Sequence, residues 1–170
     1  MSKLVFVVQK HNATSLHFDF RLEVNGVMPS WAIPKGPTLD PNLKRLAMKT
    51  PDHSLEYKQS LRANALRKFE GTIPEGKYGA GPVEIWDEGE YIPEREISKG
   101  VREQIPDRKE DEKIMAEGIK KGEIKFFLKG KKLKGSFALV KTRIGGKENA
   151  WLMIKHKDEF VKKDYDAKKN

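Results

Sequence analysis

Leu16-His17-Phe18-Asp19-Phe20-Arg21-Leu22-Glu23-Val24 alternates strictly between apolar and polar residues and runs into Asn25-Gly26, a dipeptide that favours tight hairpin turns. A period of two is that of a β-strand with one wet and one dry face. Leu16, Phe18, Phe20, Leu22 and Val24 form the dry stripe. His17, Asp19, Arg21 and Glu23 form the other, which must meet solvent, a ligand or a cavity.

Outward from this strand the punctuation is that of many short strands. Leu4–Gln9 precedes it and Val27–Ile33 returns from the turn. Arg45–Lys49, Val83–Asp87, Glu123–Leu128, Gly135–Thr142 and Trp151–His156 follow, separated by turns such as Pro34-Lys35-Gly36-Pro37, Asp40-Pro41 and Thr50-Pro51-Asp52-His53. About eight such strands predict a mainly β fold, a closed or nearly closed antiparallel β-barrel with short helical insertions. Residues 59–68 and 94–121 are helix-favouring. The second stretch is broken at Pro106, after which Asp107 caps a piece carrying Ile114, Met115, Glu117 and Ile119. Residues 1–160 are expected as one domain, and the charged segment 161–170 as a frayed tail.

The chain has 170 residues, enough for one proper core. Its 34 Lys and Arg against 25 Asp and Glu give a formal charge of +9, which suits a polyanionic partner without specifying one. With no cysteine, disulfides, thiolate nucleophiles and cysteine-type zinc sites are excluded. No apolar run is long enough to cross a bilayer, and the opening lacks a signal-peptide pattern, so a cytoplasmic protein with no membrane partner is expected, read as a monomer.

Three of the four histidines, His11, His17 and His53, fall in the first third; His156, between Lys155 and Lys157, reads as solvated surface. If the loop from His11 folds back onto the strand, two imidazoles and the Asp19 carboxylate come within reach of one another. That donor set suits Mn²⁺, Zn²⁺, Fe²⁺ or Co²⁺ and leaves positions for water and substrate. Arg21, one pleat further, can hold phosphate oxygens bidentately, a role worth several kcal/mol in organised sites. The competing reading is an ordinary solvated strand face with cross-strand ion pairs. His53, with Tyr57 four residues on, can bind a phosphate oxygen or protonate a leaving alkoxide, or serve only as a turn residue. Lys35 and Arg45 are further cations, either functional or plain surface charge. Gly76–Gly81 lacks the Lys-Ser/Thr ending of a nucleotide P-loop, which argues against an ATPase.

The segments Val7–His11, Leu16–Glu23, Ser30–Pro37, Asp52-His53, Phe69-Glu70-Gly71 and Gly76–Gly81 resemble the 3′-phosphoesterase module of the DNA ligase D family. Gly135–Lys141 and Trp151–Lys155 are similar to its closing strands. The resemblance implies a manganese-preferring β-barrel hydrolase that resects a 3′-terminal ribonucleoside or phosphate from DNA or RNA–DNA primer–template ends, leaving a 3′-hydroxyl for repair joining. It implies His11, His17 and Asp19 as metal ligands. Arg21, His53 and Tyr57 would lie on the scissile phosphate, supported by Lys35 and Arg45 from the same concave surface. A ligase and a polymerase of end joining are the implied partners, since neither segment occurs here.

Two departures bear on the activity. Pro51 stands where family members usually carry an acid, and the charged stretch that many carry ahead of the first strand has no counterpart before Leu4. Both are linked in the family to the monoesterase step, so a phosphodiesterase is expected and the phosphomonoesterase step stays open. The alternatives are a non-catalytic basic nucleic-acid-binding barrel, with Trp31, Trp86 and Tyr91 as stacking residues, and an interaction module holding a structural metal.

Overall fold

The alternating stretch is the second strand of a hairpin. In the computed structural model, which describes residues 3–50, 71–73, 81–104 and 107–170, β1 (Val5–Asn12) pairs antiparallel with β2 (Leu16–Leu22), placing Gln9 opposite Asp19 and His11 opposite His17. Phe6, Val8, Phe18, Phe20 and Leu22 are all buried, so the predicted parity becomes inside and outside. The turn closes at a Val24–Val27 bridge. Asn25 and Gly26 both have positive φ, 52° and 79°, the combination whose twist matches a two-residue hairpin.

The chain continues as β3 (Ser30–Ile33), β4 (Arg45–Lys49), β5 (Gly71–Ile73), the long β6 (Gly81–Ser98), β7 (Val101–Gln104), α1 (Arg108–Lys121), β8 (Glu123–Lys129), β9 (Lys134–Lys141) and β10 (Ala150–Lys155). Hydrogen bonding runs β1-β2-β3-β4-β10-β9-β8-β6, and β6 pairs again with β1, so eight strands close an antiparallel barrel. β5 and β7 attach to β6 outside this ring. The interior is filled by side chains: Phe126 stacks between Phe20 and Phe137 at 5.7 and 6.2 Å, and Trp31 meets Trp151 edge-on at 5.5 Å. Each such fully buried large side chain contributes about 1.5–3 kcal/mol. Trp31, Trp86 and Tyr91 all belong to this core, which removes them as an exposed stacking platform.

Both ends are covered. Where β2 leaves, α1 lays Met115 into the core, and its first turn is held by Arg108 on Glu23 at 3.2 Å. Asp107 caps the helix as its sequence position predicts, accepting the Lys109 N–H. Where β2 begins, the C-terminal segment docks. Tyr165 and Ala167 are buried, the Thr38 hydroxyl donates to the Tyr165 carbonyl at 2.8 Å, and Asp40 accepts the Asp164 N–H at 2.8 Å.

Three expectations are corrected here. Residues 94–104 are not helical: they form the β6–β7 hairpin, because Arg95 pairs with Glu103 and Arg102 with Glu94 across the strands, satisfying charges that read locally as helix-favouring. Residues 161–170 are not a frayed tail, because Tyr165 and Ala167 are apolar anchors within the charged run. His156 is half-buried and its pKa lies below the ordinary imidazole value, through burial first and then the Arg102 charge. The predicted 59–68 helix lies outside the described residues. Among the described residues no helix is long and apolar enough to cross a membrane.

Candidate metal and phosphate site on the barrel wall

β1 extends beyond its predicted end at Gln9, so His11 reaches the site from within the sheet, by register and not through a folded-back loop. Gln9 and His11 on β1, His17, Asp19 and Arg21 on β2 and Ser30 on β3 share the outer wall, opposite the parity of the phenylalanines. Asp19 is the hub. Its Oδ2 lies 3.5 Å from His11 Nδ1, 3.3 Å from His17 Nε2 and 3.6 Å from Arg21 Nη2.

Burial alone would raise the Asp19 pKa. The hydrogen bonds from His11 and His17 and the Arg21 charge outweigh it and hold the carboxyl well below the usual carboxylate range. The same hydrogen bond to Asp19 raises the His17 pKa against the opposing effect of burial. His17 Nδ1 lies 3.2 Å from the Ser15 carbonyl; with Nδ1–H donating there, Nε2 is the atom directed at Asp19, donating to it in the protonated ring and offering a lone pair to a cation in the neutral one.

Arg21 is held on three sides. Its Nε donates to Gln9 Oε1 at 2.6 Å and its Nη1 to Ser30 Oγ at 2.9 Å, while the Ser30 hydroxyl proton goes to the Met28 carbonyl at 2.7 Å. Val7, directly opposite Arg21, and Met28 are fully buried in a second small apolar cluster with Val5 and Ile85. Arg21 therefore neighbours an apolar patch on the wall, and its side chain, 15% exposed, is screened less from an anion than a group in open water.

Gln9 and Ser30 did not stand out in the sequence. The available signal for Gln9 was its two-residue spacing from His11, which puts both on one face; Ser30 is found only through its pairing with Arg21. Glu23, expected on the polar face with His17, Asp19 and Arg21, turns instead to Arg108 and the Val5 N–H, so it anchors α1. Lys35 is exposed in the turn after β3. Arg45 opens β4 opposite Met153, in step with the buried Ala47, and its charge acts on Asp40. Among the described residues neither joins the bonded set around Asp19. His53 and Tyr57 lie outside the described residues.

The donor set suits a divalent cation. The ligand atoms of His11, His17 and Asp19 all lie within 4.8 Å of one another. Metal–ligand bonds of about 2.0–2.2 Å at cis positions require ligand atoms roughly 3 Å apart, close to the two Asp19–histidine separations.

A closed antiparallel barrel with a two-histidine, one-carboxylate cluster and an anchored arginine on its wall defines a protein with a candidate cation and phosphate site outside the core. The sequence model described as DNA Ligase D 3′-phosphoesterase domain matches residues 9–141, and the chain belongs to this family. It is similar to the multifunctional non-homologous end joining protein LigD of Pseudomonas aeruginosa, 43% identical over 155 residues, covering 91% of this chain and 15% of that protein. The multifunctional non-homologous end joining DNA repair protein LigD of Mycobacterium tuberculosis is 36% identical over 156 residues, covering 92% and 17%. The LigD of Mycolicibacterium smegmatis is 39% identical over 154 residues, covering 91% and 17%. The chain thus spans about one-sixth of the length of these curated relatives.

Proposed function

We propose that the protein is a divalent-metal-dependent phosphoesterase that processes the 3′ ends of DNA or RNA–DNA primer–templates, chiefly as a 3′-phosphodiesterase and 3′-ribonuclease, preparing ends for joining. The observation that carries this reading is the Asp19 hub, with two imidazoles on one side and, on the other, an arginine fixed by Gln9 and Ser30. A structural metal alone gives no reason to anchor a guanidinium beside it.

His11, His17 and Asp19 would hold the ion, with manganese the expected metal and zinc or cobalt the alternatives. When bound, the ion supplies Lewis acidity toward a phosphate oxygen and lowers the pKa of a water molecule. Arg21 binds the non-bridging phosphoryl oxygens and offsets the charge that grows on them as water attacks in line. As the family resemblance implies, His53 donates a proton to, or hydrogen-bonds, the leaving oxygen, and Tyr57, Lys35 and Arg45 contact the phosphate. The relatives are named for end joining, so a ligase and a polymerase acting on the same ends are the partners this reading supplies. The chain acts as a monomer in the cytoplasm.

The test is a gel assay of a 5′-labelled primer–template with one 3′-terminal ribonucleotide, with and without manganese, beside His17→Ala, together with melting curves in manganese and in chelator. Manganese-dependent shortening lost in His17→Ala, with a raised melting temperature in manganese, is the expected result. An intact primer under every divalent metal tried, in a protein whose melting temperature the ion still raises, would replace the enzyme with a structural-metal module.

A further inference from the structure

The end of the barrel where β2 begins is charged in one direction. Gly36, with φ 79°, is pressed between Phe18 and Ala167: an added Cβ would come within 2.9 Å of the Phe18 ring and 2.6 Å of the Ala167 Cβ. Phe18 lies between His17 and Asp19 in sequence, so the C-terminal turn covers the inside of the strand that carries the site on its outside. Phe18 also meets Trp86 edge-on at 5.5 Å, and the Lys132 ammonium lies over the Trp86 ring at 4.7 Å. One continuous set of contacts therefore gathers Lys35, Lys131, Lys132, Lys168 and Lys169 around this mouth, beside the wall site.

An ordinary solvated surface balances its lysines with ion-paired carboxylates, and here the two buried carboxylates, Asp87 and Asp40, are bonded to backbone amides instead. Asp87 accepts the N–H groups of Glu88, Lys131, Lys132 and Leu133. Asp40 accepts those of Asn42 and Asp164, and Asp166 that of Lys168. Among the described residues none of these five lysines forms a salt bridge, unlike Lys3, Lys125 and Lys155. These acids cap the turns through backbone N–H groups, so the lysine side chains of the same turns form no ion pair with them and are available to an external anion.

Resting on the reading of the wall site as an end-processing site, we infer that this lysine mouth is a phosphate-backbone track that grips the duplex leading to the 3′ end. The partner is the polyanionic backbone, and contacts of ammonium groups with phosphates carry no sequence information. The docked C-terminal segment is then part of the substrate-binding surface.

The experiment compares the full chain with the triple variant Lys131→Ala, Lys168→Ala, Lys169→Ala and with the corresponding triple arginine variant. Fluorescence anisotropy on the primer–template duplex across a salt series gives the slope of log affinity against log salt, and initial rates in manganese give kcat and KM. Each phosphate contact contributes about 0.9 to that slope, so the alanine variant is expected to lose about two to three, with KM at least tenfold higher, kcat unchanged and the arginine variant at wild-type values. A folded alanine variant, with an unaltered melting curve, that keeps the wild-type slope and KM overturns the inference. If the wild type fails to cleave under every metal while the slope still falls in the alanine variant, the track stands and the end-processing reading fails.

Discussion

Gln9→Ala isolates the contribution of the arginine from that of the His11, His17 and Asp19 cluster. Gln9 is 1% exposed, and its Oε1 receives the Arg21 Nε–H at 2.6 Å, so the bond is short, charge-assisted and shielded from water. Hydrogen bonds to charged groups contribute about 1.5–3 kcal/mol. Without this one the guanidinium keeps only its bond to Ser30 and its approach to Asp19, and can swing about the end of its stem. If the lost interaction is felt in the transition state, kcat falls by about 10- to 100-fold, with little change in KM. The manganese-induced rise in melting temperature should persist, because Gln9 is outside the triad. Ser30→Ala acts on the same guanidinium, so the double variant should lose less than the sum of the single losses. A kcat within twofold of wild type in Gln9→Ala would refute the argument that Arg21 works through its fixed orientation. Loss of the manganese response instead would mean that Gln9 supports the ligands and not the arginine.

Asp87→Ala leaves the Leu133 N–H, and those of Lys131 and Lys132, without their carboxylate, and should cost about 3 kcal/mol. A drop of roughly 6–12 °C in melting temperature is expected, and a drop under 2 °C would show that water replaces the carboxylate at no cost. Asp111, near the start of α1, has its pKa pushed up to about 6 from 3.8 by burial first and then by Asp107 and Glu110, so the folded state holds a proton that the unfolded chain releases. Stability should therefore fall as pH rises from about 4 to 6. Asp111→Asn should remove that slope and gain about 1 kcal/mol at pH 7.5 after screening at the partly open helix end, with little change at pH 4. Equal urea midpoints for the two proteins at both pH values would refute it.

The strand Leu16–Leu22 was legible because one face packs against a core and the other does not, a contrast that survives in any context. Residues 94–104 were not, since Arg95 with Glu103 and Arg102 with Glu94 satisfy each other across a hairpin whose sole local signal is the turn glycine Gly100. β1 carries polar residues through Asn12 because β2 and β6 flank it on both sides, a fact of topology absent from Lys10-His11-Asn12 itself. The cluster of His11, His17 and Asp19 could be read from spacing and resemblance, and the structure brings the three together. The groups that orient Arg21 could not, because Gln9 and Ser30 become its neighbours only through strand pairing. Glu23 shows the reverse error: parity put it on the polar face, and the Arg108 side chain of a later helix claims it.

Among the described residues the interior of this eight-stranded barrel is filled by aromatic side chains, and the candidate site lies on the wall, where its precision depends on register. Sliding β2 by one residue would bury Asp19 and Arg21 and expose Phe18 and Phe20, losing several buried side chains at about 1.5–3 kcal/mol each while desolvating charges. The same hydrophobic term that closes the barrel thus aligns His11 with His17 and Gln9 with Asp19. The register of β1 against β6 shifts beside Gln9: Val8 pairs with Asp87 and Gln9 with Ile85, which leaves Trp86 as the extra residue of a bulge. That extra residue lets Trp86 turn inward against Phe18 while Asp87 reaches the β8–β9 turn to receive its amides. Removing the bulge would return β6 to strict alternation and pull one of these two anchors away, and both lie at the end of the barrel that carries the site. Core packing at this end and the lysine-presenting turn therefore depend on one local irregularity in β6.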